Sequence, residues 1–174
     1  MRLFLIASTA VLVLAGCTTL GDIPTAKLAT ATLKQANGAP AGTAVITAAG
    51  DKLTITVAVA GLAPGLHGTH LHMVGKCEAP GFTTAGGHLN PTSHQHGTQN
   101  PAGPHFGDLP NLSIDTNGTG TFTADLTATR AEAEAALFDA DGTAIVIHAG
   151  PDDYKTDPSG NSGGRIACGV LQRS

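Results

Sequence analysis

The chain has 174 residues, enough for one domain, and carries nine Lys plus Arg against thirteen Asp plus Glu, a formal charge of −4. No basic stripe exists, so nucleic acid is excluded as a partner, and an anionic small substrate would need a locally positive entrance. Apolar residues make up 41% but aromatics only 3%, so a core forms from Ala, Val, Leu and Ile.

The N-terminus reads as a targeting segment. Arg2 supplies a short positive region and residues 3–15 are nearly all apolar, too short to span a bilayer comfortably. Residues 1–16 are therefore expected to be a signal peptide. Leu14-Ala15-Gly16-Cys17 resembles a bacterial lipobox, in which Cys17 would become the lipidated first residue of the mature chain. The alternative is ordinary cleavage nearby, with Cys17 discarded. Either route exports the domain. Thr18, rather than Asp, after Cys17 is compatible with sorting to the outer membrane, facing the periplasm. Residues 17–27 read as a lipidated tether, and 28–174 as the folded domain.

Short Thr/Val/Ile runs between Gly, Pro, Asn and Asp follow, which predict an all-β domain. Strands are expected at 29–35, 43–48, 52–60, 68–72, 111–115, 120–126, 144–148 and 165–170. Leu53, Ile55, Val57 and Val59 alternate with Thr54, Thr56, Ala58 and Ala60, a period of two with one face buried. Ala49-Gly50-Asp51 and Asp115-Thr-Asn-Gly118 are turn signals. Eight short strands of this kind form a β-sandwich or barrel. Thr129 and Glu132 fit a capping box that opens one short helical turn over 129–136. Two stretches, 73–110 and 149–164, lack strand pattern, and each follows a histidine-bearing strand. Loops of such length are usually functional or disordered.

Seven metal-type side chains punctuate this scheme: His70, His72, His88, His96, His105, Asp108 and His148. On a strand His70 and His72 face one way, about 7 Å apart, while Leu71 points into the core. His148 ends the run Ala-Ile-Val-Ile-His and is also presented from a strand. These three imidazoles need a fourth ligand, which only the loop can bring. The loop series His88, His96, His105 and Asp108 is a closed set suited to Zn²⁺. If His88 also faces the first group, it bridges, and four nitrogens with a free position suit Cu²⁺. His94 stands two residues before His96 and competes with it as a candidate ligand. Removing Cys17 from the three cysteines leaves Cys77 and Cys168. In an oxidising compartment two thiols favour a disulfide over two separate buried thiols.

Four motifs carry a resemblance: Gly65-Leu-His-Gly-Thr-His-Leu-His72, Gly86-Gly-His-Leu-Asn-Pro91, His105-Phe-Gly-Asp-Leu-Pro110 and Pro158-Ser-Gly-Asn-Ser-Gly-Gly-Arg-Ile-Ala-Cys-Gly-Val170. They resemble copper/zinc superoxide dismutases of the bacterial exported type, over about residues 29–171. The resemblance implies an eight-stranded Greek-key barrel or sandwich, of immunoglobulin-like architecture, with two long functional loops. It implies copper at His70, His72, His88 and His148, and zinc at His88, His96, His105 and Asp108. It pairs Cys77 with Cys168, places Arg165 beside copper to guide a superoxide anion, and makes Asp152 a link between a copper histidine and a zinc histidine. The implied activity converts superoxide to O₂ and hydrogen peroxide. Met73 departs from the pattern, standing where many members carry Glu, and His67 is expected to make a structural hydrogen bond rather than ligate. A non-catalytic periplasmic copper/zinc-binding lipoprotein is the competing expectation. It would keep the ligands but need no Arg165.

Overall fold

The computed structural model describes residues 24–174; the expected signal peptide and Cys17 lie outside them. Ten strands and one helix make up the domain: β1 (Thr25–Gln35), β2 (Pro40–Ala49), β3 (Lys52–Ala60), β4 (Gly65–His67), β5 (Thr69–His72), β6 (Leu112–Ile114), β7 (Thr119–Leu126), α1 (Arg130–Leu137), β8 (Ala144–His148), β9 (Arg165–Val170) and β10 (Gln172–Arg173). β1 begins at Thr25, which pairs with Ala49, so residues 25–27 belong to the sheet rather than to a tether.

The main sheet is antiparallel throughout, in the order β5-β8-β9-β1-β2-β3-β7, with the short β10 added beside β1. β4 and β6 form a separate pair. β4 runs through Gly68 into β5, and β6 turns into β7 at Asp115–Gly118. The small pair therefore joins the two edges of the large sheet, and the sheet curls on itself. The neighbours β3/β7 and β5/β8 are not consecutive in the chain, which gives the crossed connections of a Greek key.

Alternation decides what faces in. Leu53, Ile55, Val57 and Val59 of β3 are buried in the interior with Leu33, Ile46, Leu71, Leu112, Ile145 and Ile147. The β2–β3 hairpin closes in two residues, and Gly50 takes φ 61° at the first, a position that favours glycine. α1 opens on the expected capping box: Thr129 N–H donates to Glu132 Oε2 at 3.0 Å, and Thr129 Oγ1 accepts from Glu132 N–H at 3.3 Å. Its buried residues are Ala133 and Leu137.

Every residue of β8 is buried, so this strand is covered on both faces. Ile145 and Ile147 point into the interior, whereas Ala144 and Val146 pack outward with Phe82, Ala85 and Cys168. The outer cover is the 73–110 loop, which contains a short 3₁₀ turn at Thr83–Ala85. A Cys77–Cys168 disulfide, Cα atoms 5.6 Å apart, ties this loop to β9.

Candidate metal centre

The site lies on the outer face of β5 and β8. Leu71 is fully buried in the core, so the alternation of β5 turns His70 and His72 the other way. His148 reaches the same face from the end of β8, its N–H held by the Gly68 carbonyl at 2.8 Å. The free edge of β5 is completed by two pieces of loop. Leu71 N–H donates to Gly107 O at 2.9 Å, Leu89 N–H to Leu71 O at 2.8 Å, and Met73 N–H to Gly87 O at 3.0 Å. This places His88 opposite His72 and Asp108 opposite His70.

Two groups of donor atoms result. In the first, one ring nitrogen each of His70, His72, His88 and His148 falls within 4.8 Å of all the others. Buried and unpartnered are His70 Nδ1, His72 Nε2, His88 Nε2 and His148 Nε2. For three of these rings the opposite nitrogen fixes the tautomer. His72 Nδ1 donates to Gly86 O at 2.9 Å, and His148 Nδ1 donates to Gly163 O at 3.1 Å. His70 Nε2 meets Asp152 Oδ2 at 2.7 Å, and that carboxyl, although burial opposes ionisation, is held well below the usual range by His70, His96 and the Tyr154 N–H. A carbonyl or carboxylate only accepts, so each ring carries its proton on that side and turns a bare lone pair inward. Burial pushes the pKa of His70 to about 3, of His72 to about 2 and of His148 to about 4, which keeps these rings neutral. Four buried lone pairs without a donor are costly unless a cation fills the space between them.

The second group centres on Asp108. Its Oδ1 lies 2.9 Å from His88 Nδ1, 2.9 Å from His96 Nδ1 and 3.3 Å from His105 Nδ1, while His88 Nδ1 and His105 Nδ1 are 3.4 Å apart. Zinc bonds of about 2.0–2.1 Å in a tetrahedron put ligand atoms roughly 3.3 Å from one another. The four atoms are already close to that spacing. His70 also falls within 4.8 Å of His88, His96 and Asp108, but its Nε2 is committed to Asp152, and its free Nδ1 is accounted for by the first group. His105 therefore completes the second set better than His70 does. Asp108 Oδ2 accepts from Gly97 N–H at 2.9 Å and from His105 N–H at 3.0 Å, which pins two loop segments to one carboxylate. Burial would raise the Asp108 pKa, but His88, His96 and the Gly97 N–H hold it far below the carboxylate range. His96 shows the reverse balance: burial disfavours its charge, yet Asp108 and Asp152 together raise its pKa to about 9. A buried site that draws positive charge so strongly is suited to a divalent cation.

His88 is the only ring in both sets, with Nε2 in the first and Nδ1 in the second. Asp152 links the sets from behind: Oδ2 meets His70 Nε2 at 2.7 Å and Oδ1 meets His96 Nε2 at 2.9 Å. Gly160, at φ 61°, makes room for this contact; a Cβ there would collide with Asp152 Oδ1 and come within 2.7 Å of His96 Nε2. Arg165 borders the first set. Its two terminal nitrogens donate to Phe82 O and Gly86 O, each at 2.7 Å, and Gly86 O is the carbonyl that also receives His72 Nδ1.

A family model described as copper/zinc superoxide dismutase (SODC) matches residues 40–171, about three quarters of the chain. The chain belongs to the copper/zinc superoxide dismutase family. It is 39% identical over 148 residues to "Superoxide dismutase [Cu-Zn]" of Caulobacter vibrioides, covering 83% of this chain and 85% of that protein. With "Superoxide dismutase [Cu-Zn] 1" of Aquifex aeolicus it is 48% identical over 105 residues, covering 59% of this chain and 62% of the relative's own length. The crystal structure of a SOD-like protein from Bacillus subtilis superposes with a TM-score of 0.77 at 37% identity, covering 84% of this chain and all of that one. The family uses copper and zinc, and the two donor groups fit those ions: four lone-pair nitrogens for copper, three nitrogens and a carboxylate for zinc.

All seven candidate ligands, Arg165 and Asp152 meet at this one place. His94 does not: it is exposed and its Nδ1 donates to Pro104 O at 3.1 Å. His67 is structural, reaching His148 O at 2.7 Å and Ala63 O at 3.0 Å. Sequence reasoning missed the supports of the second loop. Asn111 pairs with the Asp152 backbone in both directions (2.8 and 2.9 Å), Tyr154 Oη accepts from Asn111 N–H at 2.8 Å, and Asp157 Oδ1 accepts from His96 N–H at 2.6 Å. Single polar contacts between loops leave no periodic signal.

Proposed function

We propose that this protein disproportionates superoxide, taking two O₂⁻ and two protons to O₂ and H₂O₂, with copper held by His70 Nδ1, His72 Nε2, His88 Nε2 and His148 Nε2 and zinc by the Nδ1 atoms of His88, His96 and His105 with Asp108. When bound, copper supplies a reversible one-electron couple and zinc a fixed divalent charge. The observation that carries the reading is the set of four buried, unpartnered ring nitrogens with an anchored guanidinium at its border.

The residues divide the remaining work. Arg165 offers a permanent positive charge in a chain of net charge −4, and its two carbonyl anchors hold it in place rather than leave it swinging in solvent. It therefore attracts and orients the anion locally against the global field. His70, His72 and His148 keep their protons on the outward nitrogens, so no proton competes at the inward ones at neutral pH. His88 is different, because its Nδ1 is engaged on the zinc side and only its Nε2 is free to exchange. That nitrogen can hold a proton and hand it to the departing peroxide, which is general acid chemistry on a fixed ring. Asp152 orients His70 and His96 together.

A superoxide-consumption assay on copper- and zinc-loaded protein, with His148→Ala as control, tests the reading. Rapid consumption that the variant largely loses is expected. Loaded protein with both metals in place and no activity would leave a metal-binding lipoprotein as the better account. Such a protein has no use for Arg165 held between two carbonyls, which favours the enzyme.

We further assign the domain to the periplasmic side of the cell envelope, anchored through lipid on Cys17. The apolar leader at residues 3–15 and the lipobox-like Leu14–Cys17 support this, as does a disulfide of a kind that persists in oxidising compartments. The mass of the mature N-terminal peptide tests it: a lipid-modified Cys17 at the N-terminus is expected, and an unmodified N-terminus at another residue would contradict it.

A further inference from the structure

We propose that Met73 is a peroxide-sensitive modification site whose sulfoxide form loosens the loop peptide that orients His72 and Arg165. The proposal rests on the dismutase reading, because the oxidant is the product of that reaction.

Met73 directly follows His72, and its side chain is 49% exposed although it is large and apolar. It lies over one particular peptide. A Cβ built on Gly86, where φ is 74°, would come within 2.9 Å of Met73 Cγ and 3.6 Å of Met73 Sδ. The backbone is tied to the same place, since Met73 N–H donates to Gly87 O at 3.0 Å. The carbonyl of Gly86 accepts from His72 Nδ1 at 2.9 Å and from Arg165 at 2.7 Å. One thioether therefore covers the peptide that sets both a ring of the four-nitrogen group and the guanidinium. Nothing in the reaction derived above calls for sulfur there.

A thioether is readily oxidised by two electrons. The Met73 sulfur attacks one oxygen of hydrogen peroxide, the S–O bond forms as the O–O bond breaks, and the second oxygen leaves as water with both protons. Sulfur is oxidised, peroxide is reduced, and no further reactant is needed. The sulfoxide is polar and a strong acceptor. Arg165 is the donor group already held at the peptide beneath, so the new S=O competes with Gly86 O for the guanidinium. Accumulated product thus acts back on the entrance, and a sulfoxide reductase restores the thioether.

The test uses the metal-loaded protein in two arms, one dosed with hydrogen peroxide and one with superoxide generated in place. Met73 is the single methionine of the tryptic peptide 53–76, so gain of one oxygen there is unambiguous by mass. The expected result is that gain in both arms, faster amide exchange at residues 86–88, and a kcat/KM reduced roughly tenfold, within the roughly hundredfold that a displacement of about 1 Å can cost. Met73→Leu keeps the apolar cover, so it should keep its slow exchange and its kcat/KM after the same dose. Full oxidation of Met73 with exchange and kcat/KM unchanged would overturn the proposal, as would an equal loss in Met73→Leu. If added peroxide modifies Met73 and loosens 86–88 while the metal-loaded protein does not speed superoxide decay above the uncatalysed rate, the modification site stands and the dismutase reading falls.

Discussion

Replacing Asp152 by Ala should weaken both metal sites at once, although Asp152 belongs to neither donor set. Its carboxylate takes His70 Nε2 at 2.7 Å, His96 Nε2 at 2.9 Å and the Tyr154 N–H at 2.7 Å, all in a region closed to solvent. Truncation leaves two ring N–H groups and one backbone N–H without that acceptor. A buried donor left unsatisfied costs about 1–3 kcal/mol. Loss of an orienting partner behind a metal ligand typically lowers affinity about 10- to 100-fold. At about 1.4 kcal/mol per tenfold, that is roughly 1.4–2.8 kcal/mol, the same size as the hydrogen-bond figure. In the proposed assignment His70 serves the copper set and His96 the zinc set, so competition titrations with a chelator should show both affinities falling by about one to two orders of magnitude. Asp153→Ala is the control. Its exposed carboxylate caps the loop turn at Thr156 and Lys155 and touches neither histidine. Copper and zinc affinities within about twofold of the parent in Asp152→Ala would refute the argument, and so would loss at one site only.

Arg165→Ala should leave copper bound and slow catalysis. A unit charge about 5 Å from the anion is worth roughly 1–3 kcal/mol at effective dielectric constants of about 20–80, so kcat/KM should fall about tenfold to hundredfold, with a weaker dependence on ionic strength. Unchanged kinetics across a salt series would exclude the guiding role. Removing the disulfide in a Cys77→Ser, Cys168→Ser double variant should cost about 4–5 kcal/mol by the chain-entropy relation for a separation of 91 residues. Because that bridge fastens the loop carrying His88, copper affinity should drop as well; denaturant unfolding and a copper titration check both, and a loss below about 1 kcal/mol would show that the outer apolar cluster alone holds the loop.

The parts legible in the sequence were those with a repeating signal. Alternation from Leu53 to Val59 marks one buried face, and His70-Leu71-His72 states in three residues which side of β5 faces the core. Thr129 and Glu132 announce the helix start because both halves of a capping box are local. What failed to show was what local pattern does not encode. The sequence pattern gives one strand over 68–72 and no sign of β4 at Gly65–His67; the structure separates the two at Gly68, where a Cβ would lie 2.7 Å from Ser162 Cβ of the second loop. Pairing of residues 87–89 with the edge of β5 is too short to leave alternation, though it is what delivers His88. The raised pKa of His96 needs two carboxylates from different loops, and only the folded chain brings them together. The candidate ligands themselves were visible because seven such side chains at these spacings have few other uses; their supports, Asn111, Tyr154 and Asp157, are ordinary loop residues by type.

A crystal of the metal-loaded protein, measured at the copper and zinc absorption edges, gives the most direct test. The account predicts one copper peak among His70, His72, His88 and His148, one zinc peak at His96, His105 and Asp108, and the His88 ring between them with a nitrogen bonded to each. A single ion, or two ions with His88 bonded to only one, would contradict it.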